Sequence, residues 1–333
     1  GIQSAFYGIL NWKPSYKWDI EMGMRFTHFK IDKSAQDWAP RFSAKYRISD
    51  TSILRAAAGR YYQYLHRIPR LFIIDIWTVS NEYQERARSD HYQVGYQKEI
   101  SEDYEFEVDA FFKDYKNIYS FNHNVGADIQ ANSYSTDGRP VFNTMENIFH
   151  RGDGKTYGFE VLLRKDKGRA RGWLGYAYSH TEYRIDGINQ NRWFMPRHDR
   201  THTLNAMGNF DLISGKNKLI LGTNFVYSTG QPITEPGSAY LSSPGPFERR
   251  NNVNYAPTKI NDIRLPDYVR LDLSLTYQIQ FRGWMMAPYL QVYNISNRGN
   301  VWFISYEYEN GKPVIEEQYM LPMLPTVGVN FTF

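Results

Sequence analysis

The residues best suited to metal chemistry are His198, Asp199 and His202, because imidazole and carboxylate groups bind transition metals. Two histidines four residues apart share a face only on a helix, whereas on a strand or a turn their side chains need not converge. The chain has no cysteine, which removes thiolate ligands and cysteine nucleophiles. We therefore predict no metal site and no cofactor.

Serine, histidine and aspartate residues that could form a hydrolytic triad are scattered along the chain. No Gly-x-Ser-x-Gly turn precedes a helix, and no other spaced triad stands out. The sequence therefore predicts no catalytic residues and no enzyme. The formal net charge of +4 is spread along the chain without a basic tract, which argues against nucleic acid as a partner.

Aromatic and arginine side chains in long polar segments are better candidates for chemistry of the binding kind. Rigid rings and guanidinium donors suit sugars or chelated metal complexes. The alternative is that the same side chains anchor the chain at a membrane interface or pack its loops. The candidates for ligand contact are Trp77, Arg192, Trp193, Phe194, Tyr240, Arg249 and Arg250.

The elements that must position these residues are strands. In the segment from Tyr268 to Gln280, Leu271, Leu273 and Leu275 share one face while Arg270 and Asp272 share the other, because strand side chains switch sides at every residue. Slipping this register by one residue would put arginine into an apolar environment, so the register is strongly fixed. Similar alternation recurs from Trp18, from Tyr104 and up to Phe333, and it predicts thirteen strands.

The connections between these strands alternate in length. Short links fall near Lys13–Tyr16, Ser49–Thr51, Ser101–Asp103, Asp166–Arg171, Ile213–Asn217 and Gln280–Gly283, and long ones near Ile31–Ala39, Gln63–Ser89, Ser120–Lys155, Asp186–Arg200, Thr229–Asp267 and Arg298–Met320. Short periplasmic turns and long extracellular loops are typical of outer-membrane barrels. The aromatic content of 17% suits a membrane interface. We predict an all-β fold, an antiparallel transmembrane β-barrel.

The polar faces of these strands carry both signs of charge. Buried unpaired charges are costly, so the interior of the barrel must be wet or filled by another polar domain. We expect Glu105, Glu107, Asp109, Glu160, Arg270 and Asp272 to face the lumen or a plug. Thirteen strands do not make the even number of a bacterial barrel, and an open edge in lipid is unfavourable, so more strands are expected upstream.

Several motifs resemble TonB-dependent outer-membrane receptors of the kind found in Bacteroidota. They are Asp199-Arg200-Thr201-His202-Thr203-Leu204-Asn205, Ser228-Thr229-Gly230-Gln231-Pro232-Ile233-Thr234, Leu265-Pro266-Asp267-Tyr268-Val269-Arg270-Leu271-Asp272, the strand Tyr289-Leu290-Gln291-Val292-Tyr293-Asn294-Ile295-Ser296-Asn297, and Leu321-Pro322-Met323-Leu324-Pro325 leading to Phe333. The resemblance implies a barrel of twenty-two strands around an N-terminal plug. Residues 1–333 are then expected to be the C-terminal portion of the barrel, without the plug and first strands.

The same resemblance implies a receptor in the outer membrane of a Gram-negative bacterium, which captures a scarce ligand with its loops and imports it with energy relayed by TonB. The ligand class stays open among siderophore, haem, cobalamin, oligosaccharide and peptide. Implied partners are outer-membrane lipid, the TonB complex through the missing N-terminal part, the barrel assembly machinery through Phe333, and a surface lipoprotein. A passive porin or surface adhesin is the alternative, and a barrel hydrolase is the least favoured one.

Overall fold

The computed structural model describes residues 1–31, 34–68, 76–81, 84–121, 149–234, 236–242, 252–257, 259–309 and 312–333. The strands in these ranges are β1 (Ile2–Ser15), β2 (Trp18–Lys30), β3 (Ser34–Ser49), β4 (Ser52–Gln63), β5 (Leu65–Ile68), β6 (Ile76–Val79), β7 (Ala87–Ser101), β8 (Tyr104–Phe121), β9 (Phe149–Lys165), β10 (Ala170–Ile185), β11 (His202–Ile213), β12 (Lys218–Ser228), β13 (Pro232–Ile233), β14 (Pro236–Ser242), β15 (Asn252–Pro257), β16 (Ile263–Arg264), β17 (Tyr268–Gln280), β18 (Met285–Tyr293), β19 (Val301–Glu309), β20 (Lys312–Tyr319) and β21 (Leu324–Thr332). A 3-10 turn spans Asn189–Asn191.

Thirteen of these strands form one sheet, in the order β1-β2-β3-β4-β7-β8-β9-β10-β11-β12-β17-β18-β21. The remaining strands pair two by two, as β5 with β6, β13 with β16, β14 with β15 and β19 with β20, inside the long connections. The antiparallel all-β fold and the thirteen strands are thus confirmed. Over the described ranges, no helix has the length and apolar character needed to cross a membrane.

The chain divides into two compact units, which are described separately. The first unit comprises Gly1–Gly95, Ala110–Tyr157 and Thr181–Met195. In its sheet, Met22 lies opposite Phe42, and Phe42 lies opposite Ala58, so these residues share an apolar face. The opposite, polar face carries Asp37, which is buried and accepts hydrogen bonds from the Tyr64 hydroxyl at 2.9 Å and from Arg86 Nε at 2.6 Å.

One predicted long loop, Ile31–Ala39, is mostly strand. β3 begins at Ser34, and Phe26 on β2 pairs with Trp38 on β3, with their ring centroids 4.8 Å apart. The cross-strand aromatic contact stabilises pairing here in the manner of other aromatic pairs on a sheet. The prediction of a long loop was therefore wrong. The sequence around Trp38 does not show that Phe26 of the neighbouring strand will lie opposite it.

The second unit comprises Tyr96–Asp109, Gly158–His180 and Pro196–Phe333. β17 spans Tyr268–Gln280, the bounds that the sequence predicts. Leu275 pairs with Leu221 on β12 and with Leu290 on β18, which continues the apolar face across three strands. On the polar face, the Asn224 side chain donates to Asp272 at 3.0 Å. The two-residue period therefore assigned both faces of this strand correctly.

Candidate ligand-binding loops and their anchoring network

Trp77 lies in the β5–β6 hairpin, opposite Arg67, and 58% of it is exposed. The base of this hairpin is held by a hydrogen bond of 2.9 Å between His66 Nε2 and Ser80 Oγ. Both of these residues are buried, and burial lowers the pKa of His66 because it disfavours the charged imidazolium. Trp77 is therefore exposed on a hairpin that is fixed at its foot by the hydrogen bond between neutral His66 and Ser80.

Trp193 lies against two cations of its own chain. Lys155 Nζ is 4.7 Å from the centroid of its ring and Arg184 Cζ is 5.1 Å away. Each cation also has a carboxylate partner, since Lys155 pairs with Glu182 at 2.9 Å and Arg184 with Asp153 at 3.6 Å. Such cation–π contacts fix the ring in place. This geometry favours loop packing as the role of Trp193.

The neighbours of Trp193 follow the turn Asn189–Asn191. Arg192 is exposed, and its amide donates to the carbonyl of Asn189 at 3.1 Å. Phe194 pairs with Tyr183 through two backbone hydrogen bonds of 2.8 and 2.9 Å. Of the other predicted contacts, Tyr240 lies on β14 opposite Asn254. Arg249 and Arg250 lie outside the described residues.

Glu105 and Arg164 form an ion pair between β8 and β9, and the Gln97 side chain also donates to Glu105. Glu107 and Asp109 follow on the same face of β8 and are half-buried, while Glu160 on β9 is exposed. The predicted charged residues of this face thus include at least one cross-strand ion pair. That they face a lumen or a plug stays a prediction.

The bases of two long connections meet at a buried ion pair. Asp199 is 2% exposed, and Arg264 Nη2 lies 2.6 Å from its Oδ2. The same Arg264 donates to the Thr201 hydroxyl and to the Gly230 carbonyl, both at 2.8 Å. Because charge-assisted hydrogen bonds are the strong ones, this pair joins the 186–201 connection to both ends of the 229–267 connection.

Gly230 is required at this junction. A Cβ added there would lie 1.6 Å from the carbonyl oxygen of Leu265, so any larger residue would collide with backbone. Its amide donates to Asp267 Oδ1 at 3.0 Å, and the Tyr227 hydroxyl donates to the other oxygen of Asp267 at 2.9 Å. Close backbone approach is a common reason for glycine.

A third connection, residues 294–323, is tied to the same region by Asn294. Its amide donates to Asp272 Oδ1 at 2.9 Å, and its side chain donates to the carbonyls of Arg298 at 3.0 Å and Leu321 at 3.4 Å. Asn294 is 1% exposed and has a φ of 50°, a left-handed conformation that asparagine tolerates. Asp272 of β17, predicted to face the lumen, therefore binds the first residue after β18 and so anchors the loop that follows.

These residues form what we call the loop-base network: Asp199, Thr201, Tyr227, Gly230, Arg264, Asp267, Asp272 and Asn294. All but Tyr227 and Arg264 lie inside the motifs that carry the resemblance. This network is not among the sites predicted from the sequence, although the motifs contain most of its residues. Their polar residues bind one another at the bases of three connections.

His202, the histidine of the first of these motifs, contacts a tyrosine of the neighbouring strand. His202 Nδ1 is 2.8 Å from the Tyr176 hydroxyl, across β10 and β11. Within the described ranges no group of three histidine, aspartate or glutamate side chains is arranged as metal ligands.

Phe333 is 95% exposed at the end of the chain. Its ring centroid is 6.5 Å from that of Trp284, which stacks on Phe281 at 4.2 Å in the β17–β18 turn. The terminal ring therefore extends an aromatic row at the short-turn end of the sheet.

The comparisons with known proteins agree on the family. The family described as "TonB dependent receptor-like, beta-barrel" matches residues 2–295. No curated protein matched the sequence. Among solved structures, the ferripyoverdine receptor of the outer membrane of Pseudomonas aeruginosa matches 99% of this chain with a TM-score of 0.60 and 13% identity, over 38% of its own length.

Two further receptors share the fold. The ferric preacinetobactin receptor BauA from Acinetobacter baumannii matches 99% of this chain and 42% of its own, with a TM-score of 0.65 and 12% identity. The ferric yersiniabactin uptake receptor FyuA from Yersinia pestis matches 99% of this chain and 45% of its own, with a TM-score of 0.62 and 15% identity. The chain thus spans less than half the length of these structures.

The matched proteins are transport receptors of Gram-negative outer membranes and not enzymes, as the sequence predicts. The family match covers most of the chain, and the thirteen-stranded sheet is shared with receptor structures throughout its length. The chain belongs to the TonB-dependent receptor β-barrel family.

Proposed function

We propose that residues 1–333 are the C-terminal part of the barrel of an active-transport receptor, whose loops bind a scarce ligand and whose transport step draws on TonB. The family match over residues 2–295 is the observation that carries this proposal. The plug, the first strands and the segment that contacts TonB belong to the remainder of the receptor. Assembly in the membrane uses the terminal Phe333, and a surface lipoprotein is a further partner of the loops.

The ligand class that we favour is a ferric chelate. The ferripyoverdine, preacinetobactin and yersiniabactin receptors bind or take up such complexes, according to their names. Aromatic rings and guanidinium groups on loops suit compact, charged metal complexes. Exposed Trp77 and Arg192 are the side chains of this chain that we assign to ligand contact, together with Tyr240, Arg249 and Arg250.

Trp193 and Phe194 have a positioning role in this proposal, because the structure places them against residues of their own chain. Replacing Trp77 with alanine should weaken ligand binding through koff and leave the receptor fold unchanged. Replacing Trp193 with alanine should instead loosen the segment 186–195, which limited proteolysis would detect. Equal proteolysis of both variants would contradict this division of roles.

Uptake of radioactive iron tests the function directly. The complete receptor, produced in a Gram-negative strain lacking its own receptors, should accumulate 55Fe from at least one of a panel of ferric siderophores. Accumulation should disappear when TonB is deleted. Uptake that persists without TonB would indicate a passive pore. If the receptor bound haem, cobalamin, a sugar or a peptide tightly and bound none of the ferric chelates, only the proposed ligand class would be rejected.

A further inference from the structure

A groove opens on the apolar face of β3, β4 and β7, within the first unit. Its volume is about 280 Å3, and it is lined by Pro40, Arg41, Phe42, Ala58, Gly59, Arg60, Asp90 and Tyr92. Phe42 lies directly opposite Ala58, and Ala56 lies opposite Ala44, so small side chains occupy the middle of this surface. The surface is therefore recessed at the alanines.

Large side chains stand on both sides of the recess. Phe42 is 44% exposed and Tyr92 is 53% exposed, and the Tyr92 ring contacts Phe112 with a centroid distance of 6.4 Å. In a membrane β-barrel, the apolar face of the sheet contacts lipid. A recess between two aromatic rings on that face has the shape for a segment of an acyl chain, and its volume lies below the usual range for small-molecule pockets.

One end of the groove is cationic. Arg60 donates two hydrogen bonds to Asp90, from Nε at 2.7 Å and from an Nη at 3.1 Å. Arg88 lies on the same strand face as Asp90, and its Nε is 3.5 Å from the second carboxylate oxygen. Two guanidinium groups thus share one carboxylate, and in the described parts of the chain neither is paired with another acid.

Arg88 has hydrogen-bonding capacity to spare. Its side chain makes no hydrogen bond with any described residue, since the 3.5 Å contact between Nε and Asp90 is an ion pair only, and 34% of the side chain is exposed. The Nε is buried, whereas the two Nη nitrogens are not, so they are the donors available to an additional acceptor. A phosphate is well matched to guanidinium donors in charge and geometry.

The cluster of charges around Trp193 differs from the pair of arginines at the groove. Lys155 pairs with Glu182, whereas Arg184 and Lys116 share Asp153, and Lys116 also lies 3.8 Å from Asp114, so three cations meet three carboxylates. That cluster is balanced in charge, and it lies against Trp193 instead of an open recess. The excess positive charge at Arg60 and Arg88 is thus combined with an apolar groove in one place.

We propose that this groove binds an anionic membrane lipid, with an acyl chain along Ala58 between Phe42 and Tyr92 and a phosphate on Arg88 and Arg60. The arginines lie where β4 ends and β7 begins, at the long connection between these strands. The bound leaflet is therefore the one on the side of the long loops. The site is separate from ligand uptake and does not depend on the proposed function.

Native mass spectrometry of the complete receptor in detergent tests this site, with dioleoyl phosphatidic acid and dioleoylglycerol as matched probes. The wild-type protein should bind the phosphate lipid about tenfold more tightly than the neutral one, since hydrogen bonds to charged groups are involved. Arg88→Gln should remove this preference. Ala58→Phe, which fills the recess and leaves the charges intact, should weaken the binding of both lipids.

Matched controls separate the site from general effects on the barrel. Arg184→Gln removes another cation of the first unit, and Ala206→Phe enlarges an alanine that lies between Leu174 and Phe225 on the apolar face of the second unit. Both should bind lipid as the wild type does, and heat-modifiable migration on gels shows whether each variant is folded. Equal binding of the two lipids, no effect of Ala58→Phe, an equal loss in the controls, or competition by inorganic phosphate would each overturn the proposal.

Discussion

Arg264→Gln should release the bases of two loops at once. Asp199 would keep the Thr201 hydroxyl, which donates at 3.0 Å, but would lose the guanidinium at 2.6 Å. Removing one partner of a buried ion pair costs about 3 to 5 kcal/mol. The side chain of Arg264 is 27% exposed, so screening by water reduces the expected cost to about 2 kcal/mol.

A cost of about 2 kcal/mol corresponds to roughly 30-fold more frequent opening of the network. Hydrogen exchange of the complete receptor would measure it, in peptides that cover residues 199–203 and 228–231. Asp199→Asn should have a smaller effect, about fivefold, because Arg264 keeps the Gly230 carbonyl and its charge can be hydrated. The larger cost thus comes from leaving the buried Asp199 carboxylate without its cation.

A matched control lies at the opposite end of β10 and β11. Arg171 pairs there with Asp211 at 2.7 Å, and the side chain of Asp211 is 8% exposed. Arg171→Gln should leave exchange at the loop bases unchanged. The reasoning would be refuted if Asp199→Asn opened the network as much as Arg264→Gln, or if faster exchange were confined to the residues next to position 264.

Three further predictions concern other parts of the chain. Gly230→Ala should destabilise the loop base by about 1 to 3 kcal/mol or more, because the added Cβ would collide with the Leu265 carbonyl. A Cβ added at Gly8 would have no atom within 4 Å, so Gly8→Ala should be neutral in the same exchange assay. The pKa of His66 is lowered in the folded chain, so the unfolded state binds the additional proton first as the pH falls. The stability of the β5–β6 hairpin should therefore be constant above about pH 6.5 and fall below it. His66→Gln should flatten the pH dependence of proteolysis in this hairpin. Deleting Phe333 should lower the amount of receptor inserted in the outer membrane, and unchanged levels by quantitative blotting would count against an assembly role for this exposed ring.

Much of the sheet could be predicted because each strand carries its own two-residue period. The bounds of β17 and its two faces follow from the alternation of leucines with polar residues, without knowledge of a neighbour. The start of β3 could not be predicted in this way. Its first residues become strand because Trp38 finds Phe26 across the sheet, and that contact depends on the register of another strand.

The candidate site was less predictable, because its residues are distant in sequence. Asp199 and Arg264 are 65 positions apart, and Arg264 lies outside every motif that carries the family resemblance. The sequence left two roles open for Trp193, ligand contact and loop packing or anchoring. The strands bring Lys155 and Arg184 to its ring, which favours a packing role.

The sequence by itself therefore determined the number of strands in the main sheet, the faces of strands such as β17, and the family, since these are local patterns repeated along the chain. The tertiary structure decided which polar residues of separate motifs bind one another, and where small residues of adjacent strands leave a groove beside an excess of positive charge. Both outcomes depend on pairing between strands, and pairing places side by side residues whose spacing along the chain carries no information about their contact.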